Sequence, residues 1–215
     1  MTEPAAVDRL FDELLDTEDE ALRVARASTE PAGMPAIEVS AQHGHLLCLF
    51  AKMTGAKRVL EIGTLAGYST ICLARGVGVA GRVVTLEYEP RHAEVARTNL
   101  TRAGVADRVE VIIGAALDTL PTLQGPFDMF FIDADKENNP AYVEAAIGLA
   151  EPGALIVVDN IARGGRVLEP APGDEQATAV RATLALMGKH PRLDAAAIQT
   201  VGAKGWDGFA VAIVN

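Results

Sequence analysis

The chain has 215 residues, 49% of them hydrophobic and 22% charged, and a formal net charge of −10 at pH 7. This length and composition predict one globular domain over residues 1–215 and exclude a disordered chain. The acidic balance excludes the basic surface that holds nucleic acid or an anionic membrane, so we expect neither as a partner. The sequence shows no signal-peptide pattern and no apolar run as long as a membrane span, which predicts a cytoplasmic protein.

Helical periodicity dominates the residues before the first predicted strand. Residues 5–28 repeat apolar side chains at helical spacing among many charges, and residues 40–54 predict a strongly apolar helix. These N-terminal helices are predicted additions to a core of alternating strands and helices. They could cover a ligand or form a contact between subunits, and the sequence leaves both open.

From about residue 57 onward, short apolar runs alternate with helical segments, which is typical of βαβ units and a mostly parallel sheet. Glu89 and Pro90 predict a helix start with a carboxylate cap, and Asp174 is predicted to cap a helix that ends at Lys189. The turn at residues 202–205 predicts that the last two strands form an antiparallel hairpin at the sheet edge. The predicted strands are residues 58–62, 82–87, 109–113, 127–132, 154–158, 193–201 and 208–214.

The turn after the first predicted strand has the composition of a ligand site. Glu61, Gly63 and Gly67 lie in "VLEIGTLAGYST", at the sheet edge where open α/β sheets bind ligands. The glycine spacing differs from the G-x-G-x-x-G that seats a pyrophosphate, and Glu61 suits a cationic ligand instead. Glu87 ends the second strand, where a carboxylate can bind both hydroxyls of a ribose. Together these residues favour an adenosine-type ligand without phosphates, a description that S-adenosylmethionine fits.

Oxygen-bearing side chains follow two further strands. Asp133 lies in "FIDADKENN" after the fourth strand, and Asp159 and Asn160 follow the fifth in "VVDN". Because neighbouring parallel strands end at one edge, these three side chains are predicted to meet and bind Mg²⁺, Mn²⁺ or Ca²⁺. The four histidines are scattered, and His43 is expected to cap a helix or face solvent.

Lys136, three residues after Asp133, is a candidate general base. A cation bound nearby would make an acceptor hydroxyl easier to deprotonate, and Lys136 could take the proton. This role requires the lysine to be neutral, which a neighbouring cation and partial burial would promote. Otherwise Lys136 is an ion-pair partner of Asp135 or Glu137.

The motifs "LEIGTLAGYS", "FIDADKENN" and "VVDN" together resemble the cation-dependent class I S-adenosylmethionine O-methyltransferases, the group of catechol and caffeoyl-coenzyme A O-methyltransferases. The similarity runs from the Val39-Ser40 segment to the terminal "KGWDGFA". It implies an α/β, Rossmann-like class I methyltransferase fold, with a seven-stranded, mostly parallel sheet, an antiparallel last strand, helices on both faces, and usually a homodimer. It also implies methyl transfer to a phenolic small molecule with vicinal hydroxyls.

The resemblance also implies roles for individual residues. Asp133, Asp159 and Asn160 would be the metal ligands, with Lys136 and Asp133 as the catalytic residues. Glu87 would bind the ribose hydroxyls, Ala116 would contact the adenine, and Val39 would close over the methionine end. The residues implied to bind the cofactor are Val39, Glu61, Gly63, Thr64, Ser69, Glu87, Ala116 and Asp133.

The loop after Asn160 departs from the plant coenzyme A enzymes. Those enzymes carry a tryptophan-containing loop there, whereas this chain has "IARGGR" at residues 161–166, which argues against coenzyme A recognition. The terminal "KGWDGFAVA" resembles a bacterial subset with small phenolic acceptors. Acceptor specificity is therefore expected in residues 161–176 and in the N-terminal helices.

Two alternatives remain open at the level of sequence. An NAD-dependent oxidoreductase shares the fold and the strand-end acid, but the third glycine of its motif and a tyrosine–lysine pair for hydride transfer are missing. A noncatalytic protein that binds S-adenosylmethionine would keep the fold without the chemistry. The complete set of predicted metal ligands and base argues against that second alternative.

Overall fold

The computed structural model describes residues 3–215, which form one seven-stranded sheet with helices on both faces. Among the helices in this range, none combines the length and the apolar character that crossing a bilayer requires. Short 3₁₀ turns connect some of the elements. In chain order the elements are α1 (Pro4–Leu15), α2 (Glu20–Ala27), α3 (Ala41–Thr54), β1 (Arg58–Ile62), α4 (Tyr68–Val77), β2 (Arg82–Glu87), α5 (Pro90–Arg102), β3 (Val109–Ile113), α6 (Ala116–Thr119), β4 (Phe127–Ile132), α7 (Asn139–Leu149), β5 (Ala150–Asp159), α8 (Glu175–Lys189), β6 (Leu193–Gly202) and β7 (Gly205–Val214).

The strand order is β3-β2-β1-β4-β5-β7-β6, and β7 alone runs antiparallel to both of its neighbours. The order reverses between β1 and β4, which pair in parallel with Ile62 beside Ile132. In an open α/β sheet, the crevice at such a reversal is where ligands bind. The fold class predicted from the sequence is confirmed, including the antiparallel last strand.

Alternating side chains of the central strands build two separate cores. Met129 and Phe131 of β4 face α3 and α4, whereas Phe130 and Ile132 face α7 and α8. All four side chains are fully buried. A strand buried on both faces reads as a continuous apolar run, which is why "FDMFFI" signals a central parallel strand.

Most element boundaries agree with the sequence prediction, and the differences have local causes. Strands β1 to β4 match residue for residue. Strand β5 begins four residues earlier than predicted. Residues 150–153 continue the strand beyond its buried part, and residues 151–153, which include a Pro-Gly pair typical of a turn, are exposed. Strand β7 likewise begins at Gly205 rather than at residue 208, since its pairing with β6 continues into the turn.

The helix caps follow the predictions in part. The segment 5–28 is divided into two helices, because Asp16 adopts a left-handed φ of 44° and Asp19 caps α2 through the backbone N–H of Leu22 at 3.1 Å. Asp174 caps α8 as predicted, accepting a hydrogen bond from Ala177 N at 3.0 Å. The predicted carboxylate cap of Glu89 is wrong: helix α5 begins at a proline, and the Glu89 side chain makes no capping hydrogen bond.

Candidate active site

A cavity of about 880 Å³ lies at the carboxyl ends of β1, β2, β4 and β5. Its walls also include Pro35 and residues 37–39 before α3, the loop before α6, and residues near both ends of the β5–α8 loop. Most of the predicted site residues line it, whereas Glu61 and Asp159 lie behind its wall. The predicted residues in the wall are Val39, Gly63, Thr64, Ser69, Glu87, Ala116, Asp133, Lys136 and Asn160.

Gly63 allows the ends of β1 and β4 to approach each other. Its φ is +102°, and a Cβ at this position would overlap the carbonyl oxygen of Asp133 and lie 2.8 Å from its carbonyl carbon. The N–H of Asp133 donates to the carbonyl of Ile62 at 2.9 Å, which fixes the tip of β4 against β1. The glycine therefore places Asp133 at the cavity as well as leaving the backbone open to a ligand.

Glu87 is held rigidly at the end of β2. Its Oε2 accepts hydrogen bonds from the backbone N–H groups of Thr64 at 3.2 Å and Leu65 at 2.8 Å, and its Oε1 accepts from Glu89 N at 2.9 Å. His92 Nδ1 lies 3.4 Å from the same Oε1. The carboxylate is buried in the cavity wall, a position from which it can bind the hydroxyls of a ribose, so the predicted role stands as a prediction.

Glu61 does not line the cavity, although the resemblance implies that it binds the cofactor. It is 0% exposed, and its carboxylate accepts hydrogen bonds from Ser69 Oγ and Thr85 Oγ1, both at 2.6 Å, and from Thr70 Oγ1. Burial raises the pKa of this carboxyl to about 7, against the lowering effect of the three hydroxyls. Glu61 therefore orients Ser69, which does line the cavity, and direct contact with a cofactor is not what this geometry offers.

Helix α2 holds the chain segment that covers the cavity beside Val39. Arg26 of α2 donates to Glu38 Oε1 at 2.6 Å and to the carbonyl of Val39 at 3.3 Å, and its guanidinium lies 4.4 Å from the centre of the Tyr68 ring. Glu38, Val39 and Tyr68 all line the cavity. Of the two roles left open by the sequence, covering a ligand is thus the one that α2 fits.

The predicted metal ligands converge at the tips of β4 and β5. Ile132 and Val158 are register partners, so Asp133 and Asp159 leave adjacent strands at the same level. Asn160 adopts a left-handed φ of 61°, and its N–H donates to Asp159 Oδ1 at 2.8 Å. Burial, and then the nearby charge of Asp133, raise the pKa of the Asp159 carboxyl to about 8.

This donor set fits a hard divalent cation. Two carboxylates near each other in a poorly solvated place repel, and a cation between them would offset that repulsion. Within residues 3–215 no group of three or more His, Cys, Asp or Glu side chains has the arrangement of a metal site, and the Asn160 amide as the third ligand stays a prediction. Oxygen ligands of this kind select Mg²⁺, Mn²⁺ or Ca²⁺ over zinc.

Lys136 points at this cluster. Its side chain is only 7% exposed, and Nζ lies 2.7 Å from Asp133 Oδ1. The alternative partners considered from the sequence are therefore not the ones observed. Asp135 instead accepts hydrogen bonds from Tyr142 Oη at 2.6 Å and from Asn138 Nδ2.

Sequence reasoning missed several cavity residues and misplaced His43. His43 Nδ1 lies 3.7 Å from Asp159 Oδ2, and its ring stacks on Phe209 with centroids 5.0 Å apart. Arg163 and Lys204 also line the cavity. The available signal was the position of His43 in the chain: it lies in the first turn of α3, four residues after Val39, which was already assigned to the site.

Comparison with known proteins identifies the family. The profile of a family described as O-methyltransferase matches residues 13–208. A catechol O-methyltransferase of Mycobacterium tuberculosis is 63% identical over 213 residues, covering 99% of this chain and 96% of that protein. A catechol O-methyltransferase of Niastella koreensis is 46% identical over 214 residues, covering 98% of this chain and 97% of that protein.

A solved structure of an O-methyltransferase has the same fold as this chain. The O-methyltransferase TomG of Streptomyces achromogenes, in complex with S-adenosylmethionine, superposes with a TM-score of 0.96 at 44% identity and covers 100% of both chains. These relatives are methyltransferases, so they do not support the hydride-transfer alternative. The family profile, the sequence identity and the shared fold together show that the chain belongs to the O-methyltransferase family of enzymes.

Proposed function

We propose that the protein transfers a methyl group from S-adenosylmethionine to one hydroxyl of a catechol-like phenol, in a reaction that depends on Mg²⁺ or a similar divalent cation. The two relatives named catechol O-methyltransferases support the acceptor class, and the Streptomyces complex supports the donor. The observation that carries the proposal is the location of Asp133, Lys136 and Asn160 in one cavity wall, with Asp159 directly behind.

Asp133, Asp159 and Asn160 would hold the cation. When bound, it would hold two neighbouring acceptor oxygens and make one hydroxyl easier to deprotonate. The backbone N–H of Asn160 donates to Asp159 Oδ1 at 2.8 Å, whereas His43 Nδ1 lies 3.7 Å from Oδ2, beyond hydrogen-bond distance. The hydrogen bond from Asn160 would help to orient the carboxylate, as second-shell contacts do in metal sites.

In this proposal Lys136 would receive the acceptor proton. In its neutral form Nζ can accept the proton of the hydroxyl, and the ammonium that results has Asp133 Oδ1 as a partner 2.7 Å away. The side chain is nearly excluded from water, so bulk solvent competes little for the same proton. The acceptor oxygen then forms a bond to the methyl carbon, while the sulfur–methyl bond breaks and its electron pair stays on sulfur.

The rest of the cavity serves mainly to position the donor. Glu87, fixed by three backbone N–H groups, would bind the ribose hydroxyls, and Ala116 lies in the wall where the adenine is expected. The covering strap formed by α2 and residues 35–39 would exclude water from the methionine end. Holding two reactants in line in this way supplies much of the rate enhancement of such transfers.

A methyl-transfer assay tests the proposal. Radiolabelled S-adenosylmethionine would be incubated with the protein and a panel of catechols, with added Mg²⁺ and, in parallel, with EDTA. We expect labelled phenol ether only when the cation is present. Transfer to catechols that EDTA does not diminish would contradict the cation dependence, and no transfer to any vicinal diol would contradict the acceptor class.

Matched variants separate the site from general damage to the protein. Asp159→Asn removes one predicted ligand charge, and Asp107→Asn makes the same change on an exposed side chain in a surface turn. We expect the first variant to need far more Mg²⁺ for half-maximal activity, while the second behaves as the wild type. An unchanged Mg²⁺ requirement in Asp159→Asn would remove that residue from the ligand set.

We also propose that the protein is a homodimer, as the family resemblance implies. Helix α1 buries none of its residues, and its apolar side chains Leu10, Phe11, Leu14 and Leu15 are exposed. Such a contiguous apolar surface is typical of a subunit contact. Sedimentation analysis of the wild type and of Leu14→Ser would test this, with a monomeric wild type contradicting it.

A further inference from the structure

Helix α5 buries a polar side chain, Asn99, to which the reaction described above gives no role. The other buried residues of this helix, Ala93, Ala96 and Leu100, are apolar, and Asn99 is 1% exposed. An amide removed from water is unfavourable unless its polar groups find hydrogen-bond partners. The partners of Asn99 therefore indicate what this side chain does.

The Asn99 amide joins two segments that lie outside its own helix. Its Nδ2 donates to the backbone carbonyl of Ala66 and to Ser28 Oγ, both at 2.9 Å. Its Oδ1 accepts a hydrogen bond from Arg102 Nη1 at 3.0 Å. Because an arginine side chain only donates and a carbonyl only accepts, these partners also determine which way the amide is turned. Both N–H groups of the side chain are thus used to connect other parts of the chain.

The first partner, Ala66, lies in the turn between β1 and α4, here called the donor loop (residues 63–67). The first three residues of this loop line the cavity. Leu65 has a left-handed φ of 51°, which is unfavourable for a residue other than glycine and persists only where surrounding contacts hold it. Glu87 Oε2 holds the loop through the N–H of Leu65 at 2.8 Å, and Asn99 holds it through the next carbonyl.

The donor loop also packs directly on α5. A Cβ at Gly67 would lie 3.4 Å from the Cβ of Ala96, which is three residues before Asn99 and so on the same face of the helix. These two small residues let the loop approach the helix closely. Asn99 can therefore reach the carbonyl of Ala66 with its short side chain.

The second partner, Ser28, connects Asn99 to the covering strap. Ser28 follows the last residue of α2, and its Oγ donates to the carbonyl of Ala25 at 2.7 Å while it accepts from Asn99. The neighbouring Arg26 donates to the carbonyl of Val39 at 3.3 Å, in the part of the strap that lines the cavity. The end of α2 is thus tied to the helix that supports the donor loop.

We propose that Asn99 is a positioning residue for S-adenosylmethionine: it holds the donor loop and the covering strap together in the arrangement that binds the donor. This inference rests on the proposed function, in which the same cavity binds the donor. Asn99 is not among the described residues that line the cavity, so it acts through the loop on one side and the strap on the other. Loss of its two N–H donors should weaken donor binding and leave the transfer step intact.

The variant Asn99→Asp tests the two N–H donors alone. An ionised aspartate has nearly the same shape and keeps an oxygen for Arg102, but it cannot donate to Ala66 or Ser28. We expect the KM for S-adenosylmethionine to rise about tenfold in methyl transfer to a catechol, with kcat at saturating donor and the acceptor KM unchanged. The Kd of S-adenosylhomocysteine, measured by calorimetry on the full chain, should rise by the same factor. An unchanged donor KM and Kd would overturn the inference, and so would a lower kcat with an unchanged donor KM.

Two controls separate positioning from a general loss of stability. Thr183→Val removes the hydrogen bond that another fully buried side chain makes, to the carbonyl of Ala179 in α8, on the opposite face of the sheet. Thr98→Ala alters the exposed neighbour of Asn99. Both variants should keep the donor KM of the wild type, even if Thr183→Val lowers the free energy of unfolding as much as Asn99→Asp does. An equal rise of the donor KM in Thr183→Val and Asn99→Asp would overturn the inference.

Ser28→Ala tests the connection to the strap. This change removes the contact with Ser28 Oγ and leaves the contact with Ala66, so the donor KM should rise less than in Asn99→Asp. The double variant should be weaker by less than the product of the two single effects, because both changes break the same hydrogen bond. Single effects that simply multiply would show that Ser28 and Asn99 act separately, and would overturn the connection.

These outcomes are separable from those of the methyl-transfer screen. Methylation of catechols with the same donor affinity in the wild type and in Asn99→Asp would leave the proposed function standing and reject the positioning role. Binding of S-adenosylhomocysteine that depends on Asn99, without methylation of any catechol, would support the positioning role and reject the proposed acceptor.

Discussion

Replacing Gly63 by alanine tests whether this glycine positions Asp133. The added Cβ would overlap the Asp133 carbonyl and would sit on a backbone with φ +102°. The left-handed conformation costs a non-glycine residue about 1–2 kcal/mol, and forcing an extra methyl into packed backbone adds about 1–3 kcal/mol. The sum, roughly 2–5 kcal/mol, is a large share of the ~5–15 kcal/mol that stabilises a typical domain.

Urea denaturation followed by circular dichroism measures this loss. The matched control is Gly55→Ala. Gly55 has a φ of +67°, but no atom lies within 4 Å of the added Cβ, so this variant should lose only about 1–2 kcal/mol, which is what the left-handed backbone costs. The Gly63 variant should also bind divalent cations more weakly, because the β4 tip that carries Asp133 must shift. If Gly63→Ala lowers the free energy of unfolding no more than Gly55→Ala does, the close approach of β1 and β4 is not what requires glycine.

Three further predictions concern single side chains. Burial raises the pKa of Glu61 from 4.5 to about 7, so the folded state binds the Glu61 proton more tightly than the unfolded state does. The free energy of unfolding should therefore fall by roughly 3 kcal/mol as the pH rises from 4.5 to 7. In denaturation experiments Glu61→Gln should lack this pH-dependent loss of stability. If the wild type and Glu61→Gln lose stability in parallel as the pH rises, the prediction is contradicted. Lys136→Ala should lower kcat about 10²- to 10⁴-fold in single-turnover transfer and leave the donor Kd, measured by calorimetry, unchanged. The control Lys52→Ala, which alters an exposed lysine, should have no effect. A loss of kcat below tenfold in Lys136→Ala would exclude Lys136 as the general base. Arg26→Met should raise the donor Kd about tenfold, since Val39 loses its tether, and an unchanged Kd by calorimetry would show that α2 does not cover the donor.

The central sheet was predictable because its signals are local. Each of the strands β1 to β4 is a short apolar run bounded by polar or turn residues, and no distant contact is needed to recognise it. Asp133 and Asp159 were predictable for a related reason: in a parallel sheet, position at the end of a strand determines position at the edge. The family motifs then assigned chemistry to those positions.

The remaining features depend on contacts between distant parts of the chain. Glu61 is shielded by hydroxyls from α4 and from Thr85 of β2, and no local pattern indicates that these donors converge on it. His43 reaches Asp159 only because α3 packs against the β5 tip. Arg163 and Lys204 lie in loops without periodicity, where single-sequence reasoning has least information.

The most direct test of the account is to locate the cation. Crystals grown with Mn²⁺ and S-adenosylhomocysteine would show the metal by its anomalous scattering. We predict one peak at coordination distance from the side-chain oxygens of Asp133, Asp159 and Asn160, with the bound cofactor product in the same cavity. Bound product with no peak between those three side chains, or a peak elsewhere in the cavity, would contradict the proposed metal site.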